Sequence, residues 1–256
     1  MERVDRASVA TFLAPAPLAR AGEVELDADV AHHMRVRRLA TGADVQLLDG
    51  AGGVARGTLR RLAKGSAVVE VDRVERRAPP PPVHLLVPVA DRDRSLWLAE
   101  KCAELGVASW RPVRWRRSQG VASRGEGDAF QARVRARMAA ALVQSEGAWL
   151  PELVAPAAPA AALAALAALR GAARLVLDPD GEPLQSSLAG EPPSAVALAV
   201  GPEGGFERDE RDALTAAGFH LAALPGGILR FETAGVVAVA LTLAALQRGA
   251  GGSDGR

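Results

Sequence analysis

Residues 198–206 read Leu198-Ala199-Val200-Gly201-Pro202-Glu203-Gly204-Gly205-Phe206. The apolar run from Val196 to Val200 has the composition of a buried parallel strand. It breaks at once into three glycines, a proline and one carboxylate. Gly201, Gly204 and Gly205 permit a sharp turn and leave bare backbone that a ligand can approach. Glu207, Asp209, Glu210 and Asp212 follow as an acidic first helical turn ahead of Ala213 and Leu214. Alone, the stretch fits a ligand-binding loop and a tight strand-to-helix turn equally well.

A second segment tips the balance toward a pocket. Leu224-Pro225-Gly226-Gly227-Ile228-Leu229-Arg230-Phe231-Glu232-Thr233-Ala234 is another Gly-Pro loop, which leads one arginine and one glutamate into an apolar helix. Together, GPEGGF and ILR-x-ETA resemble the paired signature of the RsmE family. Its members are SPOUT-superfamily methyltransferases that move a methyl group from S-adenosylmethionine to N3 of a uridine in small-subunit (16S) ribosomal RNA. The resemblance continues along the chain. Leu26, His32, Val36, Arg38, Leu39, Gly42, Asp49 and Gly50 fit the family's amino-terminal pattern; Lys101 and Glu104-Leu105-Gly106-Val107 fit its K-x-x-ELGV helix end. Gln144, Ser145, Pro151 and Glu152 fit part of an EQS-x-R-x-x-x-P-E stretch in which Val143 and Gly147 stand for the usual Glu and Arg. Asp91 replaces a common lysine, and Phe231 a usual threonine.

Composition agrees with a soluble intracellular enzyme. The 256 residues, 49% hydrophobic, suffice for one large core or two modest ones. The single cysteine, Cys102, excludes an internal disulfide and sits in a helical pattern as a buried structural thiol. No basic leader with an apolar core opens the chain, so the expected location is the cytoplasm. The apolar run Ala234–Leu246 falls short of the roughly 20 residues that span a bilayer and reads as a core or interface helix.

The net charge of +1 is unevenly spread. Residues 91–140 carry 11 basic against 6 acidic side chains, and residues 141–256 carry 7 against 13. Arg111, Arg114, Arg116 and Arg117 interleave with Trp110 and Trp115, which offers phosphate neutralisation beside stacking surfaces. A solvated basic face with structural tryptophans is the plainer reading of that run. The amino-terminal Arg35, Arg37 and Arg38 tilt the balance toward RNA; Arg35, Arg38, Arg114, Arg116 and Arg117 are the candidate contacts.

Pro79-Pro80-Pro81-Pro82 divides the chain. Before it, Asp44–Leu48 and Ala67–Val71 are short strand-like runs between glycine turns, the pattern of a small β-barrel. After it, strands and helices alternate: His84–Val89, a helix to Leu105, a strand near Arg111–Trp115, a helix over Phe130–Gln144, an Ala-rich helix at 160–170, a strand at Leu175–Leu177, and the strand before Gly201. That alternation predicts an α/β domain with a helix-covered parallel sheet. The resulting expectation is a PUA-like RNA-binding domain over 1–78, a proline linker at 79–83, a SPOUT methyltransferase domain over 84–250 and a flexible tail at 251–256. The resemblance supplies the names of both domains.

Gly50-Ala51-Gly52-Gly53-Val54-Ala55 matches G-x-G-x-x-A, but Gly57 and Gly65 interrupt the helix that should follow, so it is a hairpin loop. The four histidines have no zinc spacing, and no metal is expected.

Uridine N3 carries a proton, so methylation there requires losing it and stabilising charge that spreads onto O2 and O4. The resemblance implies that Arg230, permanently charged and forked, orients the base and meets that charge. A salt bridge from Arg230 to Glu232 is the structural alternative. Glu203 is a candidate hydrogen-bond partner of the base or cofactor, and Glu232 a candidate cap for the last helix; the proton acceptor is assigned to neither. Leu177, Leu198, Val200, Gly201, Gly205, Leu224, Gly226, Ile228 and Leu229 form the expected S-adenosylmethionine cradle. The resemblance further implies a trefoil knot and a homodimer. Two rivals remain, a SPOUT methyltransferase acting on another RNA such as transfer RNA, and a non-catalytic RNA-binding assembly factor.

Overall fold

The computed structural model describes residues 9–118 and 125–251. The expected tail at 251–256 lies, from residue 252 on, outside them. The chain forms two compact units, residues 1–79 with 139–150 and residues 80–138 with 151–256.

The first unit contains β1 (Ala10–Leu13), β2 (Gly22–Leu26), α1 (Ala28–Val36), β3 (Asp44–Leu48), β4 (Gly53–Leu62) and β5 (Ala67–Arg76). The expected small barrel takes the form of a five-stranded sheet in the order β1-β3-β4-β5-β2, antiparallel except for the β1–β3 pair. Alternation produces its core: Ala67, Val69 and Val71 of β5 are buried, with Phe12, Leu26, Val45, Leu47 and Leu59 from the other strands and Met34 from α1. The stretch at residues 50–55, expected as a hairpin loop, does turn β3 into β4, with residues 49–52 as the connection. The Asp49 carboxylate inside it accepts from the Ala51 and Gly53 amides at 2.7 Å, and a Cβ at Gly53 would overlap it.

Residues 139–150, expected within the second domain, cluster with the first unit. They bury Leu142 and Ala148 against Leu48 and Val54. The signal was invisible because these residues continue a helix that begins in the other unit.

The second unit contains β6 (Val83–Pro88), α2 (Arg92–Leu105), β7 (Ser109–Val113), most of α3 (Asp128–Ser145), β8 (Glu152–Leu153), α4 (Pro159–Ala165), β9 (Ala172–Pro183), β10 (Ala195–Ala199), α5 (Arg208–Ala216), β11 (His220–Ala223) and α6 (Phe231–Gly251). Its six strands are all parallel, in the order β11-β9-β10-β6-β7-β8. β10 lies inside the sheet, and all five of its residues are buried, as its continuous apolar run requires. β7 starts two residues before the expected strand. Trp110 and Trp115 are 2% and 0% exposed, so they are core and cannot offer RNA a stacking face.

α6 is longer than the expected Ala234–Leu246 run, and Phe231–Arg248 has the length and apolar composition to cross a bilayer. Here it packs against α2, β6 and β10. Gly235 sets that approach: a Cβ there would stand 2.9 Å from Leu98 Cδ1.

Candidate active site

In a parallel sheet the loops at the carboxyl ends of the strands gather on one edge, where ligands bind. Four of these loops are joined by side chains in this protein: the start of α2 after β6, the turn after β7, the glycine loop after β10 and the loop between β11 and α6.

The glycine loop is held from beneath. Val200 N–H donates to the Leu86 carbonyl at 2.9 Å, and Gly205 N–H to the Pro202 carbonyl at 2.8 Å. Phe206 turns inward, 5% exposed, and meets Trp115 edge to face with centroids 4.9 Å apart. A Cβ on Gly201 would stand 2.9 Å from the Phe206 ring, so this glycine makes room for the phenylalanine. Gly205 differs. Its φ is +73° and nothing lies near its missing Cβ, so its backbone faces open space in the left-handed region.

Behind the loop, Glu210 accepts from the Glu207 N–H at 2.9 Å and from the Arg116 N–H at 2.7 Å, which welds the start of α5 to the turn Arg116–Ser118. Arg117 donates to the Gly204 carbonyl and, at 2.7 Å, to Glu207.

Glu203 and Glu232, one from each Gly-Pro loop, meet at a residue the sequence reading passed over. Arg94, in the first turn of α2, donates through Nη1 to Glu203 and faces Glu232 with Nε at 3.9 Å from Oε1. Asp91 fixes that turn by accepting from the Asp93 and Arg94 amides at 3.1 Å. Glu232 does not cap α6. Its Oε2 is buried with no hydrogen-bond partner. The sequence held one clue: Arg92 and Arg94 place positive charge in a helical first turn, against the helix dipole.

The loop after β11 is open. Gly226 has φ +99°, and Ile228 is 94% exposed. Arg230 is exposed and, among the described residues, has neither an ion pair nor a hydrogen bond through its guanidinium, so the alternative of a structural pair with Glu232 is not formed. In the expected cradle, Leu198 and Val200 are buried supports, Leu177 and Leu224 are half-buried, and Leu229 is half-buried beside the free Arg230. Leu177 begins an arch, residues 177–181, where the β9–β11 register jumps from Val176/Leu221 to Glu182/Ala222.

Comparison with known proteins identifies the family. The RNA methyltransferase domain family matches residues 77–243, and the RNA methyltransferase PUA domain family matches residues 26–72. The chain is a member of this RNA methyltransferase family. Over 241 residues it is 30% identical to the ribosomal RNA small subunit methyltransferase E of Synechocystis, covering 92% of this chain and 77% of that protein. The corresponding protein of Mycobacterium bovis is 32% identical over 216 residues, covering 81% and 80%. The crystal structure of a ribosomal RNA small subunit methyltransferase E from Neisseria gonorrhoeae, bound to S-adenosyl methionine, superimposes with a TM-score of 0.78 at 25% identity, covering 92% of this chain and 97% of that one.

The arginines expected on the methyltransferase's RNA face are mostly engaged within the chain. Arg35 donates to the Ala63 and Lys64 carbonyls, Arg114 to Glu126 and the Pro156 carbonyl, Arg116 to Asp209, and Arg117 to Gly204 and Glu207. Arg38 is different. It is exposed, with φ +57°, at the position just past α1 where glycine is usual, and Leu39 N–H closes the helix end on the Met34 carbonyl at 3.0 Å.

The rest of the methyltransferase's titratable chemistry lies elsewhere. Complete burial pushes the Cys102 thiol far above its ordinary range, consistent with the structural role expected of it. No cluster of metal-ligating side chains occurs among the described residues. A cavity of about 640 Å³ lined by Gly171, Leu188 and Ser194 opens near the amino ends of β9 and β10, away from the signature loops.

Proposed function

We propose that this protein methylates N3 of a uridine in small-subunit 16S ribosomal RNA, using S-adenosylmethionine, as a cytoplasmic homodimer with a knotted carboxyl-terminal domain. One observation carries the reading: two Gly-Pro loops at carboxyl ends of the same parallel sheet, after β10 and after β11 with β9 between them, their glutamates joined through Arg94, and beside them an arginine with no partner among the described residues.

The residues fit the cofactor. Gly205 and Gly226 hold left-handed backbone with nothing where a Cβ would stand, which leaves main-chain groups open to a ligand. Ile228 and Leu229 add apolar surface, and the buried Glu232 Oε2 lacks a donor. When bound, S-adenosylmethionine supplies a methyl group on a good leaving group. The protein then has to align, neutralise and exclude water. Arg230, without a partner among the described residues, orients the uracil and meets the charge on its carbonyl oxygens. Glu203 and Glu232 present acceptors to the N–H groups of cofactor or base. Arg38 neutralises a backbone phosphate.

The exposed Ile228, together with Val236, Val237, Leu241 and Leu243 half-exposed along α6, supports a second copy over this side of the domain. Sedimentation should give a dimer that Ile228→Glu weakens.

The decisive experiment supplies labelled S-adenosylmethionine with small ribosomal subunits, free ribosomal RNA and transfer RNA, and maps the modified base. One N3-methyluridine in small-subunit RNA is expected. Modification confined to transfer RNA, or no cofactor binding, overturns the proposal.

A further inference from the structure

Arg94 reaches both signature loops from the first turn of α2. Two carboxylates drawn to one place repel each other, and the guanidinium that separates them offers forked donors in a fixed plane. Burial grades the three partners: the Arg94 side chain is 34% exposed, Glu203 60% and Glu232 13%. The contact with Glu203 is therefore screened by solvent, while Glu232 is held in the drier place. Its Oε1 faces Arg94, whereas its Oε2 is buried without a donor. A buried acceptor left without a partner is costly, and a ligand donor removes that cost. The proposed reaction brings two N–H donors, the ammonium of the cofactor's amino-acid end and the uracil N3–H.

We propose that Arg94 is a positioning residue of the transfer site. It aligns Glu232 so that Oε2 receives an N–H donor of the bound pair, and through Glu203 it locks the glycine loop to the start of α6. This rests on the reading that these loops form the methyl-transfer site.

The test uses the full chain, calorimetry with S-adenosylmethionine and single-turnover methylation of small ribosomal subunits. Arg94→Ala and Glu232→Gln should each lose about tenfold or more in the same parameter. That parameter is cofactor affinity if the ammonium is the donor, and rate at saturating cofactor if the base is. The double variant should be no worse than about threefold beyond the weaker single, because both changes break one unit. Arg94→Lys, which keeps charge without the fork, should recover less than about threefold. Should Arg94→Ala lose its near-ultraviolet circular dichroism, Arg94→Gln replaces it. Additive losses, losses in different parameters, or an Arg94 variant within about twofold of wild type in both parameters overturn the proposal. A wild-type protein that binds no cofactor overturns the reading of the site itself; an active wild type with indifferent Arg94 variants sinks only the role of Arg94.

Discussion

The rings of Trp115 and Phe206 meet at 89°, edge to face, and both are buried. The pair is the floor on which the glycine loop rests, and it gives Gly201 and Gly205 different reasons to be glycine. At Gly201 a side chain collides with Phe206; at Gly205 it meets open space but strains the backbone.

Gly201→Ala should therefore destabilise the fold by about 1–3 kcal/mol, the range for overpacking, and weaken cofactor binding with it. Adding Phe206→Leu should recover part of the Gly201→Ala loss, because the smaller side chain vacates the contested space. Thermal melts of the two singles and the double decide this, and strictly additive losses would remove Phe206 from the explanation. Gly205→Val should lose cofactor affinity while costing about 1–3 kcal/mol of backbone strain.

Arg117→Ala should weaken S-adenosylmethionine binding roughly three- to tenfold, since Arg117 holds the Gly204 carbonyl and Glu207 at the loop. Arg116→Ala removes an exposed pair with Asp209 and should leave stability within about 1 kcal/mol of wild type. Calorimetry on each variant checks both outcomes; equal effects would mean that Arg117 does not shape the loop.

Arg38→Gly should move stability and RNA affinity in opposite directions. Glycine relieves the left-handed backbone, a gain of about 1 kcal/mol. Loss of one phosphate contact should make the salt dependence of RNA binding shallower by about one unit. A variant both stabler and unimpaired in RNA binding would return Arg38 to the solvated surface.

Arg230→Ala should lower the single-turnover rate by roughly 100- to 1,000-fold, the scale of losing a preorganised donor. Its melting temperature should not move, because the side chain has no partner among the described residues. A thermal defect with normal turnover would reverse that assignment.

His84 gives a pH signature unrelated to catalysis. Burial first, and the Arg111 guanidinium second, hold it below its ordinary pKa of 6.5 against the opposing pull of Glu152. Arg111 Nε donates to Ser109 Oγ at 2.8 Å, which leaves the hydroxyl proton for neutral His84 Nδ1, also at 2.8 Å. The folded chain takes up this proton less readily than the unfolded one. The His84 contribution is thus complete above 6.5 and erodes as the pH falls through 6.5 toward the lowered folded value. His84→Asn should flatten the dependence of melting temperature on pH in that window; an unchanged slope would assign the acid sensitivity elsewhere.

What the sequence determined by itself was local. The continuous apolar run of β10 implied a buried strand, the short run Ala67–Val71 between glycine turns a strand of a small β-domain, and the glycines of the two loops a bare backbone. Each of these follows from φ/ψ preference and side-chain periodicity within a few residues. The motif pair also named the family correctly, because the glycines, Glu203 and Arg230 lie in contiguous stretches.

Only the tertiary structure decided who meets whom. Arg94 and Glu203 are 109 residues apart, and Arg117 and Gly204 are 87 apart; no periodicity records such pairings. The tryptophans that suggested stacking on RNA are core, since an aromatic beside arginines has the same local sequence whether it faces water or the sheet. Residues 139–150 joined the amino-terminal unit because burial of Leu142 and Ala148, not helix continuity, sets where a compact unit ends. Packing assigns each charge its partner only after distant strands have come together, and at Glu232 it leaves one buried oxygen without a partner.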